Sequence, residues 1–164
     1  MSTEEVASFL AEERTVTCAT VGPRGWPHLM PLWYVLRDSE SGSDVDGGPS
    51  PRVWAWTYAS SQKVRNLERD PRASLQVEAG ESYELLRGVM LECDVIIHRD
   101  LDTVAALGAA ILLRNAQPRG VEPPAELPVQ ARDAVAAQAV KRVGLEFVEQ
   151  RRASWDHRKL GGVY

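Results

Sequence analysis

The chain has 164 residues, 44% of them hydrophobic and 26% charged, with a formal net charge of −4. That length suits one domain, residues 1–164, with a core large enough to stand alone, and the acidic balance argues against a nucleic-acid partner. No stretch is long and apolar enough to cross a membrane, and with acids at Glu4 and Glu5 and no apolar run at the start no secretory leader is expected, so the expected location is cytoplasmic.

Ser2 or Thr3 opens a short helix through Glu12, with Val6, Phe9 and Leu10 as its buried stripe. Thr15 to Val21 reads as a strand and Gly22-Pro23-Arg24-Gly25 as a turn, whose glycines permit positive φ. Trp26 to Leu36 is the return strand, an edge or a bulged one at Pro27 and Pro31, because proline cannot donate to a ladder. Its apolar run through Leu29, Met30, Leu32, Trp33, Tyr34 and Val35 fits burial on both faces or a strand lying under a flat ligand. Arg37 to Pro51 has almost nothing apolar to bury and reads as a mobile loop.

Val53 to Thr57 is a strand rich in aromatic and β-branched residues. A helix follows, with Ser60 as N-cap and Asp70-Pro71 as its end, since proline disfavours an α conformation in the residue before it. Ala73, Leu75 and Val77 alternate as a half-buried strand. Tyr83 to Ile97 is a long strand with a bend or bulge at Gly88. Asp100 caps a helix with the stripe Val104, Leu107, Gly108, Ile111 and Leu112, and a proline-rich connector spans Gln117 to Pro128. Ala131 to Val140 is helical, Val143, Leu145 and Phe147 alternate along a last strand, and a tail from Ser154 to Tyr164 closes the chain. Strands dominate without a βαβ series, so the expected class is mainly β (α+β): a small closed or split antiparallel barrel of about six strands with peripheral helices.

The helix after Val53–Thr57 carries its charges the wrong way round. Lys63 and Arg65 lie near its start and Glu68 and Asp70 at its end, although a helix N-terminus prefers anions by roughly 0.3–1 kcal/mol per charge. Two serines, free backbone N–H groups, a lysine and an arginine suit a bound phosphate, whereas a merely solvated basic face is the plainer account. Cys18 and Cys93 sit in apolar segments without metal-type spacing and read as buried thiols.

The run Ser61-Gln62-Lys63-Val64-Arg65-Asn66-Leu67-Glu68-Arg69-Asp70-Pro71-Arg72-Ala73-Ser74-Leu75 resembles the lysine helix and Asp-Pro-Arg strand start of the split β-barrel flavin and deazaflavin oxidoreductases, the pyridoxamine 5′-phosphate oxidase-like family. Gly25-Trp26-Pro27-His28, Pro31-Leu32-Trp33-Tyr34 and Arg87-Gly88-Val89 are similar too, and Ser154-Trp155-Asp156-His157-Arg158-Lys159-Leu160 resembles the C-terminal signature of actinobacterial members. The resemblance implies a six-stranded split barrel, a homodimer, and a cofactor cleft lined by both subunits. It implies that Lys63 holds the cofactor phosphate, with Thr57, Ser60 and Ser61 beside it. Several actinobacterial members use coenzyme F420, and FMN is the alternative. The arginine-and-histidine substrate determinants of genuine pyridoxamine phosphate oxidases have no match, which argues against vitamin B6 oxidation.

A flavin or deazaflavin carries hydride chemistry itself, so few catalytic side chains are expected. No nucleophile elbow, metal-ligand pair or P-loop occurs. His98 reads as structural, while His28 and His157 are candidate proton donors or plain surface groups. Trp54 and Trp56 are assigned to core or dimer contact. Trp33 and Trp155 suit either packing on a planar ring system or core and interface, and Arg158 and Lys159 either a charged tail or a fold over an anionic ligand. Three readings stay open: an F420-dependent reductase acting on a small unsaturated or quinone-like substrate, an FMN-dependent relative, and a non-catalytic cofactor- or haem-binding barrel.

Overall fold

The computed structural model describes residues 1–38, 51–116, 121 and 124–161. The bulk of the expected mobile loop (39–50), much of the connector after Ala116 and the last residues 162–164 therefore lie outside the described residues. In chain order the helices are α1 (Thr3–Glu12), α2 (Gln62–Arg69), α3 (Leu101–Ala116) and α4 (Val129–Ala139). The strands are β1 (Thr15–Val21), β2 (Pro27–Arg37), β3 (Arg52–Tyr58), β4 (Arg72–Ala79), β5 (Arg87–His98) and β6 (Arg142–Asp156).

The strands close a barrel in the order β1-β2-β3-β6-β5-β4, with every neighbouring pair antiparallel. Alternation of side chains across each strand sends Val16, Cys18, Leu75, Val77, Val89 and Leu91 inward to one core. The helix α1 adds Val6, Phe9 and Leu10 to that core, and its start is closed by a capping box between Ser2 and Glu5. At its other end the Arg114 guanidinium of α3 donates to the carbonyls of Leu10, Ala11 and Glu13 at 2.9, 2.8 and 2.6 Å, supplying positive charge where the helix dipole is negative.

Helix α3 covers only part of the barrel exterior. Its Leu107 and Ile111 pack with Val35 against Trp54 and Trp56, which are thereby core residues as expected. Gly108 permits that contact, since a Cβ there would run into the Trp56 ring. Asp100 accepts a 2.8 Å hydrogen bond from the Thr103 N–H, as its capping role requires.

Several boundaries move. The N-cap of α2 is Ser61, not Ser60, because the chain turns once more after Tyr58, with the Ser61 N–H donating to the Tyr58 carbonyl. Arg37 is part of β2, paired with Arg52, rather than the start of a loop. Strand β2 runs past Pro31 without a register shift, because β2 meets β3 only from Tyr34 onward and the proline faces an open edge. Tyr83–Leu85 is a 3₁₀ turn, so β5 begins at Arg87. The irregularity between β5 and β6 lies at Glu92/Cys93, where Gln150 of β6 is the extra residue, and Gly88 serves a different need: the indole of Trp155 rests on its backbone. The largest difference concerns the last strand. It does not end near Phe147 but extends to Asp156, because β5 is long enough to pair with it throughout. Ser154 and Trp155 are therefore strand residues opposite Val89 and Gly88, and only the 3₁₀ turn His157–Leu160 follows.

Candidate functional site

Helix α2 crosses from the end of β3 to the start of β4, so its inner face closes one mouth of the barrel with Val64 and Leu67 buried. Lys63 belongs to that inner face. It is only 7% exposed, and its Nζ donates a 2.9 Å hydrogen bond to Thr57 Oγ1, itself buried on β3. Beside it, Asn66 Nδ2 donates to Thr20 Oγ1 at 3.0 Å and Gln62 Nε2 to Asn66 Oδ1 at 2.9 Å, so the side of α2 that faces β1 is held by neutral hydrogen bonds.

Among the described residues no carboxylate forms an ion pair with Lys63. Burial accordingly holds its ammonium below the ordinary lysine range, with the nearby Cys18 opposing weakly. The Cys18 thiol is pushed up to about 12 by the same burial, so it supplies no counter-charge at neutral pH. Ser61 Oγ is buried and has no hydrogen-bond partner among the described residues, and the first turn of α2 carries no acid. A buried cation without an anion is costly, and an unsatisfied hydroxyl adds to that cost. The donor set Lys63, Ser61 and the first N–H groups of α2 therefore fits an anionic group such as a phosphate. Ser60 lies exposed one residue before the cap.

The other expected contacts lie elsewhere on the chain. Trp33 is 54% exposed on the outer face of β2. Trp155 lies on the outer face of β6 against Gly88. Arg158 is bound by the Asp156 carboxylate at 2.6 Å, and Lys159 by Glu5 at 2.7 Å, next to α1. His28 is half-buried on β2, while His157 Nδ1 lies 2.9 Å from the Tyr83 carbonyl oxygen. His98 is structural: its Nε2 lies 2.8 Å from Glu146 Oε2, a carboxylate that also accepts from Arg52 Nη1 at 2.6 Å, and its ring stacks on Trp54.

Two concavities adjoin this region. One, of about 540 Å³, follows the outer sheet face past Ala19, Ser74, Glu92 and Gln150. The other, of about 590 Å³, lies between the β1–β2 hairpin and the start of α2, at exposed Gln62 and buried Asn66. In the sequence this second cleft coincides with the Gly25-Trp26-Pro27-His28 motif and with His28, a candidate proton donor, but not with Lys63.

The sequence profile of the pyridoxamine 5′-phosphate oxidase family matches residues 2–145. A search of curated protein sequences found no match. Among solved structures, the conserved hypothetical protein Rv2991 from Mycobacterium tuberculosis is 36% identical, with a TM-score of 0.78 over 100% of this chain and 90% of that one. An F420 reductase is 20% identical with a TM-score of 0.61, covering 93% of this chain and 98% of its own. The heme storage protein HutZ from Vibrio cholerae is 15% identical with a TM-score of 0.62, covering 94% and 93%. The last two establish likeness of fold alone. With a profile that spans most of its length and a barrel of the matching topology, the chain belongs to the pyridoxamine 5′-phosphate oxidase-like family of split barrels.

Proposed function

We propose that this protein is a homodimeric oxidoreductase that binds coenzyme F420 and transfers a hydride to a small unsaturated or quinone-like substrate. The observation that carries the reading is Lys63, a buried ammonium that forms no ion pair with a carboxylate among the described residues, at a helix start without acids. Lys63 and Ser61 would hold the phosphate of the cofactor, and Thr57 orients the lysine by accepting from its Nζ. Bound there, the cofactor supplies the hydride chemistry of its own ring system. The rest falls to the protein: neutralising the phosphate, fixing its position, and keeping water from the ring.

A second copy is proposed on the outer sheet. Helices α3 and α4 leave much of the outer face of β1, β4 and the first half of β2 uncovered; β4 presents the polar Arg72, Ser74, Gln76 and Glu78 there, whereas β2 presents Leu29, 57% exposed, and Trp33, 54% exposed. Exposed apolar side chains of this size on a sheet edge favour a partner. Another copy covering that face would supply the aromatic side of the cleft, through Trp33 and Trp155, that the Lys63 end lacks.

Titration of the purified protein with F420 and with FMN tests the reading. F420 binding that weakens at least about tenfold in Lys63→Ala supports it. Preference for FMN moves the assignment to the flavin relatives. A haem band on addition of haem, with no response to either other cofactor, overturns it in favour of a haem-binding barrel.

A further inference from the structure

The cleft between the β1–β2 hairpin and α2 is walled by Gly22, Pro23, Arg24, Trp26, Pro27, His28, Leu29, Gln62 and Asn66. Three features set it apart from the rest of a surface whose net charge is −4. Its wall contains no aspartate or glutamate. It contains Arg24, which forms no ion pair among the described residues, whereas Arg72 in the other concavity is already held by Asp70. It also contains Trp26, 74% exposed, the least covered large apolar side chain among the described residues.

The hairpin positions these two groups. The Gly22 N–H donates to the Trp26 carbonyl at 2.8 Å and the Gly25 N–H to the Gly22 carbonyl at 2.9 Å, while Gly25 takes φ +82°, a conformation that other residues rarely adopt. Arg24 and Trp26 therefore flank one rigid glycine, a guanidinium and an indole on the same wall. The opposite wall is α2, where exposed Gln62 is held by buried Asn66, itself bonded to Thr20, so that side presents a fixed amide in place of charge. A volume of about 590 Å³ accommodates a small ligand of two fused rings.

We infer that this cleft binds a planar aromatic anion, its ring on Trp26 and its carboxylate or equivalent group on Arg24. The cleft lies at the Lys63 end of the barrel, and its binding is measured without cofactor.

The experiment is isothermal titration of the full-length, cofactor-free protein with 2-naphthoate and with its neutral counterpart 2-naphthamide. The expected result is naphthoate bound about tenfold more tightly than the amide, with Arg24→Gln abolishing the difference. Trp26→Ala weakens both ligands, and Lys63→Ala, which weakens F420 binding, leaves naphthoate binding unchanged. Both hairpin residues are exposed, so circular dichroism of the variants matches the wild type. Absence of naphthoate binding at millimolar concentration, equal binding of acid and amide, or no effect of Arg24→Gln overturns the assignment. Loss of naphthoate binding in Lys63→Ala also overturns it, by making the cleft part of the cofactor site.

Discussion

Lys63 and Trp155 stand at opposite ends of the same barrel. Lys63 closes the mouth where β3 ends and β4 begins, while Trp155 pairs with Gly88, which pairs with Glu78 near the far end of β4. The run of β4 from Arg72 to Glu78 is roughly 20 Å at the rise of an extended strand. A ligand of small size that touches both residues must bridge two chains. Light scattering at micromolar concentration is expected to report a dimer, and Trp33→Glu on the bare outer face to yield a folded monomer with weakened F420 binding. A wild-type monomer under those conditions removes the shared cleft.

Lys63 sets binding against stability. Lys63→Met is expected to lose about 1.5–3 kcal/mol of F420 affinity, the worth of a charge-assisted contact, and to gain about 1 kcal/mol of stability in the unliganded protein. The pH dependence has a definite sign. Burial holds the folded ammonium below the ordinary value of 10.5, so between those two values the unfolded chain binds more protons and stability rises with pH. Denaturant melts at increasing alkaline pH should show that rise in the wild type and lack it in Lys63→Met.

Gly88→Ala tests the seat of Trp155. The added methyl falls inside the contact distance of the indole, so the ring or the strand has to move, at about 1–3 kcal/mol. Gly88→Ala combined with Trp155→Ala should cost less than the sum of the single changes, because the two side chains compete for one space. Additive effects in chemical denaturation would show that Trp155 moves aside freely.

At acid pH the closing turn is the weak point. The hydrogen bond from Arg158 holds the Asp156 carboxyl at about 2, and Arg72 does the same for Asp70, against an ordinary value of 3.8. Their contribution is complete above pH 3.8 and is lost as pH falls to about 2, since the unfolded carboxylates take up protons first. Asp156→Asn should flatten the acid limb of a circular-dichroism titration in that window. An unchanged profile would mean that the Asp156–Arg158 pair adds nothing to the fold.

Much of this architecture was legible in the chain. Alternation in β1 and β4, the stripe of α1, the Asp100 cap and the Asp-Pro end of α2 are local signals, set by side-chain period and backbone sterics within a few residues. The basic start of α2, with Lys63 among serines, is a local signal of the same kind and suggests the anion site proposed above. What sequence alone left open depends on partners distant along the chain. Residues 148–156 show no alternation, because they become a strand only where β5 offers its ladder, and so Trp155 looked like part of a tail. Gly88 carried the mark of a special backbone position, but that its neighbour is an indole is a matter of cross-strand register. Arg158 pairs with Asp156, two residues before it, a contact already within local reach, whereas Lys159 meets Glu5 only after β6 and α1 are in place. The burial of Lys63 was likewise decided by closure of the barrel: the sequence placed the charge on a helix, and only the packing of that helix over Thr57 removed it from water without supplying an acid.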